Sequence, residues 1–457
     1  MNEKLHIIGG TPLRGTITAS GAKNATTKLL VASIISNKKC IFHNVPNIFD
    51  VAITLELCKE IGSEVVWDKE NKIVEIQTKE LKSTFLSHRF SGANRIPILM
   101  IGALLNRTNQ LISVPTVGGD QLGNRPLDIH LEALKKLGAN IEYQPGTKNS
   151  VYLAEAKQGL NGTLIKLRYP SVGATENIIF AALAAKGKTI IQNAAIEPEI
   201  VDLIIFLQKM GCNITVDSHQ TIQIEYSDEF EETTHTIIPD RNEIVSYACA
   251  ALATKGDVFI KNADPQLLIP FIFQLKKIKA GVQIQEQGIR FFYKQPLEGN
   301  LSIETDVHPG FMTDWQQPFG AMLTQVKGTS IIHETVYENR FGYTKMLNKM
   351  GADTNLFNSC LGQKNCRYAF MNHPHSMIIK GPTPLKAHDF AIPDLRAGFA
   401  YVIAALTANN LSTIEKVDFL DRGYDNFVSK LKSLGANIER VKTENITKDQ
   451  ELTTSNN

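Results

Sequence analysis

The sequence predicts an α/β protein of two similar domains, each made of three repeated units, with a ligand cleft between them. Two recurring phrases and the composition carry that expectation. The first phrase is an amphipathic helix ending, L-x-x-L/M/I-G-x-x-I/V. It returns roughly every 75 residues, too long a period for common solenoid repeats. The second phrase, an Ala-rich apolar helix followed by a polar turn and a strand, keeps step with the first. Apolar residues at 43% and charged residues at 21% describe a globular chain with enough material for large cores. At 457 residues the chain is long enough for two or three domains.

The elements follow in order. A strand at 5–9 precedes the first unit and is expected to join the far domain. The helix endings then fall at Gly62, Gly138, Gly211, Gly351 and Gly435, with a degenerate copy in which Lys279 stands where glycine belongs. Glycine suits these positions because a helix commonly ends on a left-handed C′ residue, where a missing Cβ removes the steric penalty. The apolar residue three positions on opens a strand. The Ala-rich helices are predicted at 178–185, 246–254, 319–326 and 399–408, leading into strands at 189–192, 258–261, 329–333 and 411–415. Their small side chains permit close packing, so they are expected to be buried and the L-x-x-L-G helices to lie at the surface. After Val441 the chain turns polar and aperiodic, and 442–457 is expected to be a disordered tail.

Lys plus Arg number 48 and Asp plus Glu 46, a formal charge of +2, which argues against a dedicated nucleic-acid or anionic-membrane binder. The longest apolar run, 96–105, is about half of what a membrane span requires, and the first residues carry no signal-peptide pattern. Six cysteines scattered without C-x-x-C read as reduced thiols of a cytoplasmic protein. Cys360 and Cys366 with His373 and His375 look metal-like, yet their spacing matches no common zinc pattern.

Chemistry is sought where the repeat breaks. Ser20-Gly21-Ala22-Lys23-Asn24-Ala25 is a turn feeding a helix, and a lysine there joins backbone N–H groups in holding phosphate; a solvated lysine is the plain alternative. Residues 117–130 place three glycines around Asp120 before Arg125-Pro126, which reads as a functional loop running into an anion site. Arg95, Arg340 and Arg396 stand in turn-like or apolar settings and, converging on one cleft, would grip phosphate and carboxylate bidentately. Asp314 lies beside Trp315, where a helix N-cap is the plain alternative. Tyr169-Pro170-Ser171-Val172-Gly173 is a strand-to-helix turn whose N–H groups suit an anion.

Together these stretches resemble the enolpyruvyl transferases, and among them the UDP-N-acetylglucosamine 1-carboxyvinyltransferases. The resemblance rests on S-G-A-K-N-A at 20–25, L-G-N-R-P-L-D around Arg125, S-V-G-A-T at 171–175, E-P-E-I-V-D at 197–202 and P-D-R at 239–241. It continues through H-P-x-F-x-T-D at 308–314, E-N-R-F at 338–341, D-L-R-A at 394–397 and D-R-G-Y at 421–424. These landmarks stand in family order over nearly the whole chain. The resemblance implies two inside-out α/β domains with threefold internal repeats, here 23–238 for the first and 1–22 with 239–441 for the second.

It also implies the first committed step of peptidoglycan synthesis, serving cell-wall biogenesis, cell shape and division. The enolpyruvyl group of phosphoenolpyruvate passes to the 3-hydroxyl of UDP-N-acetylglucosamine by addition–elimination, and phosphate leaves. Lys23, Arg125 and Arg396 are expected to grip phosphoenolpyruvate, with Asn24 and Arg340 close by. Arg95, Arg125, Pro126, Leu127, Asp128, Ile129, Tyr169, Pro170, Ser171, Val172, Asp314 and Val336 are expected to face the nucleotide sugar. Asp314 would also accept the hydroxyl proton, and closure of the loop 118–124 would exclude water. No metal, organic cofactor or nucleic-acid partner is implied.

Four departures stand out: Thr26-Thr27-Lys28 in place of A-L-P, Ile196 in place of an arginine before E-P-E, an extra-looking segment at 358–375, and Asp120 where most members carry cysteine. That last one implies insensitivity to fosfomycin, an epoxide that alkylates the cysteine. Two alternatives remain open on sequence alone: a paralogue with another acceptor such as shikimate 3-phosphate, and a non-catalytic, RNA-associated protein on the same repeat.

Overall fold

The computed structural model describes residues 3–118, 127–146, 150–364 and 366–442. In the first half the helices are α1 (Lys23–Ala32), α2 (Phe49–Ile61), α3 (Pro97–Arg107), α4 (Asp128–Lys136), α5 (Val172–Ala182) and α6 (Pro198–Lys209). The second half contributes α7 (Arg241–Ala253), α8 (Ile269–Lys277), α9 (Gln316–Leu323), α10 (Thr344–Lys349), α11 (Leu395–Thr407), α12 (Asp418–Asp421) and α13 (Phe427–Ser433). The described strands form five four-stranded sheets and one three-stranded sheet, mixing parallel and antiparallel neighbours.

The repeat is visible in the backbone. Gly62, Gly138, Gly211, Gly351 and Gly435 all have positive φ, between 89° and 116°, and Lys279 adopts φ 60° at the degenerate copy. The left-handed turn is therefore kept where its glycine is not. The Ala-rich helices are buried: Ala174–Ala182 of α5 in the first half, and in the second every residue of α7 and α9 and all but the last of α11. A helix that is apolar all round belongs inside a core rather than on a surface. Close approach is enforced at Gly102 of α3, where a Cβ would overlap Asn177 of α5. That buried Asn177 accepts from Gly102 N at 2.9 Å and donates to the Ile98 carbonyl at 3.0 Å, so its amide is satisfied.

Two hydrophobic cores result. One gathers side chains from Ala22 to Ile237, among them Phe42, Met100, Phe180 and Phe206. The other joins Leu5, Leu13 and Ile17 to residues from Ile244 to Ile438, including Phe271, Trp315 and Phe399. The first strand, Glu3–Ile8, runs antiparallel between Leu411–Glu415 and Asn437–Lys442. Lys442 pairs with Glu3, so the sheet reaches one residue into the stretch expected as a tail; 443–457 lie outside the described residues. The chain passes between the halves twice, side by side, where Ala22 N donates to the Ile238 carbonyl and Asp240 N to the Ser20 carbonyl, each at 2.8 Å. Among the described residues no helix is long and apolar enough to cross a membrane.

Candidate active site

Helix beginnings from both halves meet at one cavity of about 430 Å³. Lys23 opens α1, Val172 opens α5 behind the capping Ser171, Arg241 opens α7, and Arg396 lies in the first turn of α11. Asp240 and Asp394 cap α7 and α11 by accepting from the N–H groups of residues 242, 243, 396 and 397. Several helix N-termini aimed at one cleft give it a positive field suited to an anionic ligand.

Asp314 is the electrostatic centre of the second half's wall. It sits in the short turn Thr313–Trp315 before α9 and caps no helix; its carboxylate accepts from Arg340 Nη2 at 2.6 Å and Arg396 Nε at 3.2 Å. Burial opposes its charge, but Arg396 and Arg340 outweigh that and hold the carboxyl well below the usual carboxylate range. Both guanidiniums are buried, and Nη1 of each has no hydrogen-bond partner among the described residues. Buried Glu334 fixes this wall. It accepts from Thr313 Oγ1 at 2.9 Å and from the backbone N–H groups of Val336 and Tyr337 at 2.8 and 3.0 Å.

On the facing wall Lys23 Nζ meets Asp50 at 2.7 Å, and Asp50 accepts from Arg422 Nε at 3.2 Å. Burial again opposes ionisation, while Lys23 and Arg422 hold Asp50 below its ordinary range. Arg422 comes from the second half and Asp50 from the first, so this triad ties the halves across the cleft, as does Lys72 with Asp425 at 2.7 Å.

Of the residues singled out in the sequence, Lys23, Asn24, Arg95, Ile129, Tyr169, Pro170, Ser171, Val172, Asp314, Val336 and Arg396 line this one cavity. Arg340 stands behind Asp314. Leu127 packs partly buried against the first core, and Asp128 turns to the half-exposed Arg168 at the rim. Asp120, Arg125 and Pro126, and with them most of the loop 118–124, lie outside the described residues.

Comparison with known proteins gives the family. The family profile described as EPSP synthase (3-phosphoshikimate 1-carboxyvinyltransferase) matches residues 7–431. The UDP-N-acetylglucosamine 1-carboxyvinyltransferase of Protochlamydia amoebophila (strain UWE25) is 57% identical over 445 residues, covering 97% of this chain and 96% of its own. The protein of that name from Chlamydia abortus (strain DSM 27085 / S26/3) is 53% identical, covering 94% and 97%. This chain belongs to the UDP-N-acetylglucosamine 1-carboxyvinyltransferase family. Its fold is that of the enolpyruvyl transferase NikO from Streptomyces tendae, with a TM-score of 0.84 at 21% identity over 97% of this chain and 99% of that one.

Within this family member, the cavity floor holds groups that sequence reasoning passed over. Glu199 and Arg241 form a buried bidentate pair at 2.8 and 3.0 Å. Removing one partner of such a pair typically costs about 3–5 kcal/mol, because the other charge is stranded. Glu176 beside it is 1% exposed, and neither carboxyl oxygen has a hydrogen-bond partner among the described residues. Burial pushes its pKa up to about 7, with Glu199 and Glu197 adding to the rise and Lys28, at one of the departures from the family pattern, opposing it.

The sign follows from linkage. Above the ordinary value of 4.5 the unfolded chain gives up this proton first, so stability falls with pH until the folded carboxyl ionises near pH 7. Glu176→Gln should therefore match the parent near pH 5 and exceed its stability by roughly 1–3 kcal/mol at pH 8.5. Denaturant melts at the two pH values check this; a difference independent of pH would contradict it.

The sequence held signals for some of these groups. Arg422 lies in D-R-G-Y and Arg241 in P-D-R, both landmarks of the resemblance. Asp50 and Glu176 carry no such mark, because only the tertiary fold places them at the cleft.

Proposed function

We propose that this chain transfers the enolpyruvyl group of phosphoenolpyruvate to the 3-hydroxyl of UDP-N-acetylglucosamine, releasing phosphate, as a cytoplasmic enzyme of peptidoglycan synthesis. Family membership at 57% identity over nearly the whole chain supports the reaction. The observation that carries the mechanism is the Arg340–Asp314–Arg396 cluster facing Lys23 across one cavity.

Lys23 and Arg396 bind the phosphate and carboxylate of phosphoenolpyruvate, with Arg125 as a third cation. At rest Lys23 and Arg396 are neutralised by Asp50 and Asp314. An arriving anion competes for them, and as Arg396 turns toward it the proton affinity of Asp314 rises. Asp314 then takes the proton of the sugar 3-hydroxyl while that oxygen attacks C-2 and an acid protonates C-3. We assign the acid to Asp120. The Asp120 carboxylate then takes a proton back from C-3 while phosphate leaves the tetrahedral intermediate, carrying away the proton that Asp314 had accepted.

Tyr169–Val172 and Val336 line the sugar-nucleotide side, with Arg95 beside them. The division into 23–238 and 1–22 with 239–441 belongs to the same reading, supported by the two separate cores. Calorimetry tests acceptor choice. UDP-N-acetylglucosamine should bind and shikimate 3-phosphate should not; the reverse preference would reassign the chain to a paralogous activity.

A further inference from the structure

The described residues of the extra-looking segment 358–375 form almost no regular secondary structure, and Phe370 among them is fully exposed. A stretch that buries so little apolar surface needs another source of order. Four side chains converge beneath it: His333, Cys360, Cys366 and His375, whose ligand atoms all lie within 4.8 Å of one another. We propose that they form a tetrahedral zinc site that staples this segment to the second half of the molecule.

In the sequence Cys360 and Cys366 stand with His373 and His375 at a spacing that matches no common zinc pattern. In the structure the fourth ligand is His333, from the neighbouring strand Gly328–His333, and His373 contributes only its carbonyl. Zn–S and Zn–N bonds near 2.3 and 2.0 Å require tetrahedron edges of roughly 3.3–3.8 Å. Cys360 Sγ stands 3.3 Å from His375 Nε2.

The outer groups fit the same ion. His375 Nδ1 is 2.7 Å from the His373 carbonyl and donates to it, which leaves the Nε2 lone pair pointing at the cluster. His333 Nδ1 lies 3.3 Å from Glu304 Oε2, while its Nε2 is buried without a hydrogen-bond partner among the described residues. A carboxylate on the far nitrogen of a ligating histidine is the arrangement that fixes its tautomer and ring orientation at zinc sites. Glu304 also accepts from Gln363 N and Lys364 N at 2.9 and 2.8 Å, holding the segment over the ring. Cys366 Sγ accepts from Tyr368 N at 3.3 Å, the backbone support a thiolate ligand needs. Gly362 passes so close that a Cβ would overlap His333 Nδ1 and Glu304.

Two cysteines and two histidines select zinc over harder divalent ions. Binding deprotonates both thiols, and the protons leave to solvent. The staple has a use at the cleft. It sets Arg367, which lines the cavity and lies 4.6 Å from the Tyr169 ring centroid, and Tyr368, whose hydroxyl donates to the Val336 carbonyl at 2.7 Å.

The test is metal analysis of the full chain purified from zinc-supplemented cells, beside the Cys360→Ser/Cys366→Ser double variant. About one zinc per chain is expected in the parent, falling at least fivefold in the variant. Should the variant fold poorly, cobalt(II) added to the metal-stripped parent should develop thiolate charge-transfer absorption and tetrahedral visible bands. Hydrogen exchange should quicken in 358–375 on stripping, with 23–118 unaffected. A parent that binds neither zinc nor cobalt, a Cys360–Cys366 disulfide in the purified protein, or equal zinc in the variant would overturn the proposal.

Discussion

Replacing Asp314 by asparagine is expected to lower turnover by about 10²- to 10⁴-fold, with the fold and sugar-nucleotide binding retained. The amide keeps the shape and an acceptor for a guanidinium, but it cannot take a proton. Alanine is the harsher change: both substitutions leave Arg340 and Arg396 buried without their shared carboxylate, and alanine also removes the one acceptor that the amide keeps. Turnover should fall in both variants, and stability should fall further in Asp314→Ala than in Asp314→Asn. Sugar-nucleotide affinity is set by many contacts along the cavity, so calorimetry should find it within about threefold of the parent for asparagine. Lost binding with an intact fold would make Asp314 a binding residue first.

The second large effect concerns Asp120. A carboxyl group can protonate C-3 only while it holds a proton, and an ordinary aspartate with a pKa of about 3.9 rarely does so near pH 7. The negative charge of bound phosphoenolpyruvate would raise that value in the ternary complex. Asp120→Ala should therefore lose turnover by about 10²- to 10⁴-fold.

The covalent consequence separates the acid role from mere presence near the site. A thiolate is a strong nucleophile toward the fosfomycin epoxide and a carboxylate a poor one. The parent should resist fosfomycin, and Asp120→Cys should gain time-dependent, irreversible inactivation. Rapid inactivation of the parent, or an active Asp120→Ala variant, would contradict the assignment.

Much of this architecture could be read from local rules. The helix-ending glycines marked the repeat because a left-handed C′ residue is a backbone requirement, and Lys279 shows that the requirement outlives the residue that signals it. Ala-rich helices announced their own burial. Lys23, Asp314 and Arg396 were legible because each interrupts a repeating unit with a residue the unit does not need.

What escaped reading depends on distant parts of the chain meeting. Asp50 looks like an ordinary acid in the first turn of a helix until Arg422 arrives from the other half. Glu176 becomes unusual only when the core closes around it. Cys360, Cys366 and His375 match no zinc spacing in the sequence because His333 reaches them only through sheet pairing, which sets it opposite Ser376.

The most direct measurement is a turnover assay with phosphoenolpyruvate labelled at C-2, run with UDP-N-acetylglucosamine and, separately, with shikimate 3-phosphate. The account predicts one phosphate released per labelled enol ether formed on the sugar 3-oxygen, and no turnover with shikimate 3-phosphate. Phosphate release without that ether, or an ether formed only on shikimate 3-phosphate, would contradict it.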